Sequence, residues 1–435
     1  MSERTLLHEL DYSVVQQCMH CGLCLPTCPT YVQTGRERSS PRGRIALMRA
    51  VADDRLEVNE AFVEEMSYCV GCLACQTACP AGVDYNSLLE TARAAGEQSD
   101  VPRGKLRGVY RWLALKQLFP RPWLLRLVAR VLAVYQRPAI RGTVIRLGLL
   151  RLAPRHLREL EPKSPPFDPP FSFARLKPVE PPVSGKPRAR VGLLIGCIQD
   201  VAFAGINAAT ATVLRHNGCE VVTPRGQGCC GSLHAHNGEP NTARKLAEVN
   251  LNTFDLDNLD AIISNAGGCG SHLRRYGEMF PPGTPLHEKA EAWDAKVYDV
   301  HQWLDKIGFE PPRGSIGPTR VAYDASCHLR HGQGVDAPPK RLLAATPGVE
   351  LVPLTESDWC CGSAGLYSML QPESANWLLE RKLDHLETAA PDVLVSGNPG
   401  CLLQLAQGMA ERESLRNVRT AHPVELLAEA YAAAT

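Results

Sequence analysis

Two copies of one cysteine pattern, C-x2-C-x2-C-x3-C-P, constrain this chain more than any other feature: Cys18, Cys21, Cys24 and Cys28 before Pro29, and Cys69, Cys72, Cys75 and Cys79 before Pro80. Two-residue spacers let three thiolates of one run reach three irons of a single cube, and the fourth ligand comes from elsewhere. In two-cluster proteins with this run the cysteine before proline ligates the other cluster. The expected sets are therefore Cys18, Cys21, Cys24 and Cys79 for one 4Fe-4S cluster, and Cys28, Cys69, Cys72 and Cys75 for the other. A structural zinc site would use two C-x2-C pairs, without the third step or the trailing proline.

About forty residues separate the runs, and Arg42 to Val51 with Ala61 to Met66 read as helices, so an all-helical two-cluster domain is expected. Ser40 before Pro41 is a good helix start. Arg42 and Arg44 read either as a solvated helix end or as positive charge that raises a cluster potential. At 435 residues the chain is long enough for two to four domains. Charged residues interrupt the first fifteen positions, and no charge-free stretch reaches spanning length, so the expectation is a cytoplasmic chain that does not cross a membrane. Reducing conditions there would keep the 17 cysteines available as ligands.

The second half repeats itself. Val191 to Cys197 matches Val321 to Cys327, Gly228-Cys229-Cys230-Gly231 matches Trp359-Cys360-Cys361-Gly362, and Ala261 to Cys269 matches Val393 to Cys401, at offsets of 130, 131 and 132 residues. Each copy alternates short apolar runs with helical stretches, the pattern of a parallel α/β sheet, and its cysteines follow strand ends, where such sheets bind ligands. Cys197, Cys229, Cys230 and Cys269 form one candidate metal site, and Cys327, Cys360, Cys361 and Cys401 a second. Cys219 has no counterpart and reads as core.

The near-neutral total of 47 basic and 46 acidic residues hides a segregation. Val101 to Arg158 holds fourteen Arg or Lys and no acid, which leaves the rest at 1 − 14 = −13. Within it Arg126, Arg130 and Arg137 fall within about 40° of one another on a 3.6-residue helix, the rest of whose surface is apolar, so a basic helix on anionic headgroups is expected. Packing on the cluster domain or on another subunit is the alternative. Nine prolines between Pro162 and Pro187 read as an extended surface linker. No nucleic-acid partner is expected.

The order of a double cluster motif and two Cys-Cys-Gly domains, with Cys18-Met19-His20-Cys21-Gly22-Leu23-Cys24, Cys28-Pro29-Thr30-Tyr31 and Ser40-Pro41-Arg42-Gly43-Arg44-Ile45, resembles the iron-sulfur subunit of bacterial glycolate oxidase over essentially the whole chain. Similar architecture occurs in glycerol-3-phosphate dehydrogenase, lactate-utilisation proteins and heterodisulfide reductases. The resemblance implies an α+β multi-domain chain, with an all-helical two-cluster ferredoxin-like domain (1–98), a basic segment and linker (99–190) and two tandem α/β Cys-Cys-Gly domains (191–315 and 316–435). It implies electron transfer from flavin-containing partner subunits, which oxidise glycolate to glyoxylate, toward a membrane acceptor, with FAD on the partners and no catalytic residue here. No G-x-G-x-x-G fingerprint is read as opening a strand-helix unit, which agrees with a flavin held elsewhere. Glycerol phosphate or lactate as substrate, disulfide reduction by the Cys-Cys-Gly domains, and a zinc-stabilised scaffold are the alternative readings. The extra C-x2-C pair of heterodisulfide reductases is missing, since His272 and Gln404 stand three residues after Cys269 and Cys401. An ordinary cube, a zinc ion or an empty site all satisfy the Cys-Cys-Gly cysteines.

Overall fold

The computed structural model describes residues 5–102, 105–152, 158, 161 and 164–434. Arg103 and Arg155 of the basic run, and Pro162 of the linker, lie outside them. From residue 5 to 98 all regular structure is helical, chiefly Pro29–Thr34, Pro41–Ala52, Glu60–Tyr68 and Tyr85–Gln98. Side chains set the helix starts: Ser40 Oγ accepts from the Gly43 amide, Asn59 from Phe62 and Asp84 from Ser87. Such caps are worth about 1 kcal/mol each. Leu7, Met48, Val51, Phe62, Met66, Leu88 and Ala92 form the core, and Cys69 and Cys75 pack against it.

Residues 105–152 build a helical arm, with Lys105–Arg111 running into a π-helical turn, Trp112–Leu118, followed by Pro122–Tyr135 and Pro138–Arg146. The helix Pro122–Tyr135 packs through Leu125 and Ala129 on Phe171 and Val201. Arg126 is not on a free basic face: its Nε lies 2.7 Å from the buried Asp200 carboxylate. Nor does Arg137 share the helix, because it precedes Pro138, and the residue before proline leaves the helical region.

Two sheets follow. The first joins β1 (Val179–Glu180), β2 (Ala189–Leu193), β3 (Cys219–Val222), β4 (Ala261–Ser264) and β5 (Val297–Asp299) in the order β1-β3-β2-β4-β5. The second joins β6 (Thr319–Asp324), β7 (Val349–Val352), β8 (Val393–Ser396) and β9 (Arg419–Ala421) in the order β7-β6-β8-β9. All pairings are parallel except β1 with β3. Val191 pairs with Val221 and Ala261 as Val321 pairs with Leu351 and Val393, so the duplication holds at the level of register. The proline-rich stretch is less detached than its composition predicts, since it supplies β1 and the buried Phe171, Ser172 and Leu176.

The copies share a core. The last helix, Pro423–Ala432, places Val424, Leu427 and Tyr431 among Val191, Val213 and Leu214 of the first copy, and Tyr431 stacks on His216 at 4.4 Å. The linker parts the cluster domain from this pair in sequence but not in space. Asp84 pairs with Arg275 at 2.6 Å, Arg93 donates to the His236 carbonyl, and Tyr367 donates to the Tyr68 carbonyl.

Candidate iron-sulfur site and thiol quartets

The N-terminal thiols fall into two surroundings. A cavity of about 40 Å³ is lined by Cys18, Cys21, Cys24 and Cys79, with Cys75, Arg42, Ile45 and Tyr85 in its wall. Cys21 is exposed and sits between the exposed Met19 and Leu23. Cys28 does not line that cavity; it is buried, it caps the helix Pro29–Thr34, and its charge bears on Cys72 and Cys75. The four cysteines of the second set, Cys28, Cys69, Cys72 and Cys75, are all buried.

Two arginines work on this buried set. Arg44 is fully buried, unlike the solvated helix end that one reading of the sequence allowed. It donates to Thr30 Oγ1 and to the Glu65 carbonyl, and its guanidinium is 3.8 Å from the Glu65 carboxylate. Arg93 donates to the carbonyls of Met66, Cys69 and His236. Burial pushes the Cys69 thiol up, but Arg44 and Arg93, helped by the Tyr85 hydroxyl, bring it below its ordinary value. Burial and neighbouring thiols instead push Cys72 and Cys75 well up. Arg42 lies at the surface, clamped to Glu37 and donating to the His20 carbonyl.

Each Cys-Cys-Gly copy gathers four thiols in a row, each interacting with the next: Cys197, Cys229, Cys230 and Cys269, and Cys327, Cys360, Cys361 and Cys401. Cys230 Sγ is 3.1 Å from Cys269 Sγ. Among the described residues no group of three or more His, Cys, Asp and Glu side chains is arranged around a single metal ion. The glycine after each cysteine pair is required by the backbone. Gly231 has φ +91° and Gly362 φ +82°, and a Cβ on Gly362 would lie 2.4 Å from the Ala375 carbonyl oxygen. These glycine amides also face Cys229 Sγ and Cys360 Sγ at 3.5 and 3.4 Å, as the Gly71 amide faces Cys69 Sγ at 3.4 Å. Amide donors to sulfur are one means of setting a cluster's potential. Cys219 is buried in the sheet core, apart from either row.

The spacing G-x-G-x-x-G does in fact occur, at Gly226, Gly228 and Gly231 between β3 and the helix Ser232–Ala235. That helix has only four residues, and the loop turns its amides to Cys229 Sγ and Asn250 Oδ1. Of its three glycines, Gly231 serves a thiol.

Several relationships were not readable from spacing. Cys72 of the cluster domain packs with Cys360, Tyr367 and the half-buried Cys327 of the second copy. Cys72 and both thiol rows also line one large cavity, about 750 Å³, between the cluster domain, the arm and the two sheets. His236, His272 and His328 cluster beside it, with ring centroids 5.2 Å (His236 to His328) and 6.3 Å (His236 to His272) apart. Glu90 binds His236 Nδ1 at 2.7 Å; burial pushes its carboxyl up, but the imidazole outweighs this and holds it down at about 2. Burial lowers His272 and His328 to about 4.

Known proteins match these parts in the same order. A 4Fe-4S dicluster domain matches residues 14–83, a cysteine-rich domain matches 191–274 and again 321–406, and the linker region of the glycolate oxidase iron-sulfur subunit matches 106–162. The probable glycolate oxidase iron-sulfur subunit of Bacillus subtilis (strain 168) is 38% identical over 424 residues, covering 97% of this chain and 95% of that protein. The chain belongs to the glycolate oxidase iron-sulfur subunit family. The Escherichia coli (strain K12) glycolate oxidase iron-sulfur subunit is 31% identical over 96% of this chain and 94% of its own length. Lactate utilization protein A of Exiguobacterium sp. is 28% identical but aligns with only 55% of this chain. The arm is thus a family feature, shared with subunits of glycolate oxidase.

Proposed function

We propose that this chain is the electron-transfer subunit of a flavin-dependent glycolate dehydrogenase complex. Two 4Fe-4S clusters are held by Cys18, Cys21, Cys24 and Cys79, and by Cys28, Cys69, Cys72 and Cys75. The observation that carries this reading is the small cavity at which Cys79 of one motif, with Cys75 beside it, joins three cysteines of the other. When bound, the clusters supply one-electron chemistry. The chain's own residues hold them, exclude water from the buried set, and place Arg44 and Arg93 beside it. Electrons enter at the exposed Cys21 side, from partner subunits that carry FAD and oxidise glycolate to glyoxylate. The packing of Cys72 with Cys360 favours the second Cys-Cys-Gly domain as the next station, and each thiol row is a candidate for a further cluster or a zinc ion. The domains run 1–98, 99–190, 191–315 and 316–435.

The arm supports a peripheral place on the inner face of the cytoplasmic membrane. No helix among the described residues is long and apolar enough to cross a membrane. The helix Pro122–Tyr135 nevertheless leaves Trp123, Leu127, Val131 and Val134 exposed on one face, with Arg130 among them. That is the composition of a helix lying in headgroups. The experiment that tests the function is reconstitution: the isolated chain should not oxidise glycolate with any dye acceptor, and activity should appear when flavin subunits are added. Turnover by the pure chain refutes it.

A further inference from the structure

The cavity of about 750 Å³ has the size of a small-molecule site, and several of its features together define an occupant. Both thiol rows and Cys72 reach its wall, so a molecule inside it lies beside Cys72 and the eight Cys-Cys-Gly cysteines. Apolar side chains form much of the remainder, among them Leu233 of the first copy, Leu366 and Leu379 of the second and Phe119 of the arm. Its rim includes the exposed Met369 and Leu370. Phe119 belongs to the same arm that exposes Trp123 and Leu127.

The polar groups narrow the chemistry. His236 Nε2 and His328 Nδ1 are buried atoms without a partner on two imidazoles that line the cavity. Each ring has its other nitrogen committed. His328 Nε2 donates to the Gly71 carbonyl at 2.8 Å, and His236 Nδ1 donates to the Glu90 carboxylate. In the neutral rings the two remaining nitrogens therefore offer lone pairs, to a ligand that brings hydroxyl hydrogens.

We propose that this cavity binds a lipophilic two-electron acceptor of the quinone class, with His236 and His328 accepting hydrogen bonds from the hydroxyls of the hydroquinone. The proposal rests on the electron-transfer reading above. The reaction balances without another reagent: oxidation of glycolate to glyoxylate releases two electrons and two protons, and reduction of a benzoquinone to its hydroquinone takes up two of each.

The test is equilibrium binding of a decyl-tailed benzohydroquinone to the full-length, dithionite-reduced chain under anaerobic conditions. A diazirine-tailed analogue of the same hydroquinone provides crosslinking in parallel. Saturable binding is expected, weakened at least tenfold in Leu233→Trp and in Leu366→Trp, which fill the cavity from opposite copies. Crosslinks are expected within residues 363–370 and 403–411, and iron content serves as the measure of intact folding in the variants. Absence of saturable binding by an iron-loaded wild type, equal affinity in iron-loaded variants, or crosslinks confined to other segments overturns the proposal. Saturable, variant-sensitive binding by a chain short of eight irons supports the cavity while defeating the cluster reading, so the two fail separately.

Discussion

At the residue scale the sharpest consequence concerns the cysteine before each proline. If Cys28 serves the cluster of Cys69, Cys72 and Cys75, Cys28→Ser should alter that cluster's paramagnetic resonance signal and leave the other unchanged. A change confined to the cluster of Cys18, Cys21 and Cys24 would reverse the assignment. A second consequence follows from His272, whose imidazole burial holds at about 4, among Glu90, which favours its protonated form, and His236, His234 and Arg275, which oppose it. An unfolded histidine takes a proton near pH 6.5, so between 6.5 and 4 the unfolded chain binds the extra proton. Stability from this group is complete above pH 6.5 and is lost as pH falls toward 4, by roughly 3 kcal/mol in all. His272→Gln should flatten the wild type's decline in thermal midpoint over that range; parallel curves would show that His272 does not titrate there.

At the element scale, the arm shows where reading a sequence stops. A helix from Trp123 was legible from its breaker-free run and flanking prolines, but the expected register put three arginines on one face, and the helix ends at Tyr135, before Arg137. Asp200, seventy-four residues away, takes Arg126 out of that set, and no local pattern announces such a pairing. Arg126→Glu should set two carboxylates against each other and cost about 3–5 kcal/mol, because a buried pair loses its partner. Limited proteolysis should then cut between residues 119 and 137 several-fold faster than in wild type, and unchanged cleavage would mean that the ion pair does not hold the helix. The membrane role needs a variant that spares this contact. Arg130→Glu/Arg137→Glu should reduce sedimentation with phosphatidylglycerol-rich vesicles at low salt, and high salt should reduce wild-type binding likewise. Equal sedimentation of both proteins leaves the exposed face to a protein partner.

At the scale of the whole molecule, the cysteine spacing and the repeat carried most of the architecture. Both are local patterns that recur at fixed intervals: two cluster runs, and two sheets whose central parallel pairings match in register. What spacing could not supply is how the parts dock. The burial of Arg44 beside Cys69, the packing of Cys72 with Cys360 and the histidines around Glu90 all depend on segments far apart in the chain. That docking turns a string of motifs into one buried set of thiols leading from an exposed cluster site to a central cavity. The central claim is that the chain holds two 4Fe-4S clusters in its N-terminal domain, and the most direct test is iron and acid-labile sulfide per chain after anaerobic purification. About eight of each should be found in a brown protein, with more only if the thiol rows are also loaded, and Cys24→Ser/Cys75→Ser should lower both. A colourless chain that contains zinc and no labile sulfide after anaerobic reconstitution would contradict the account.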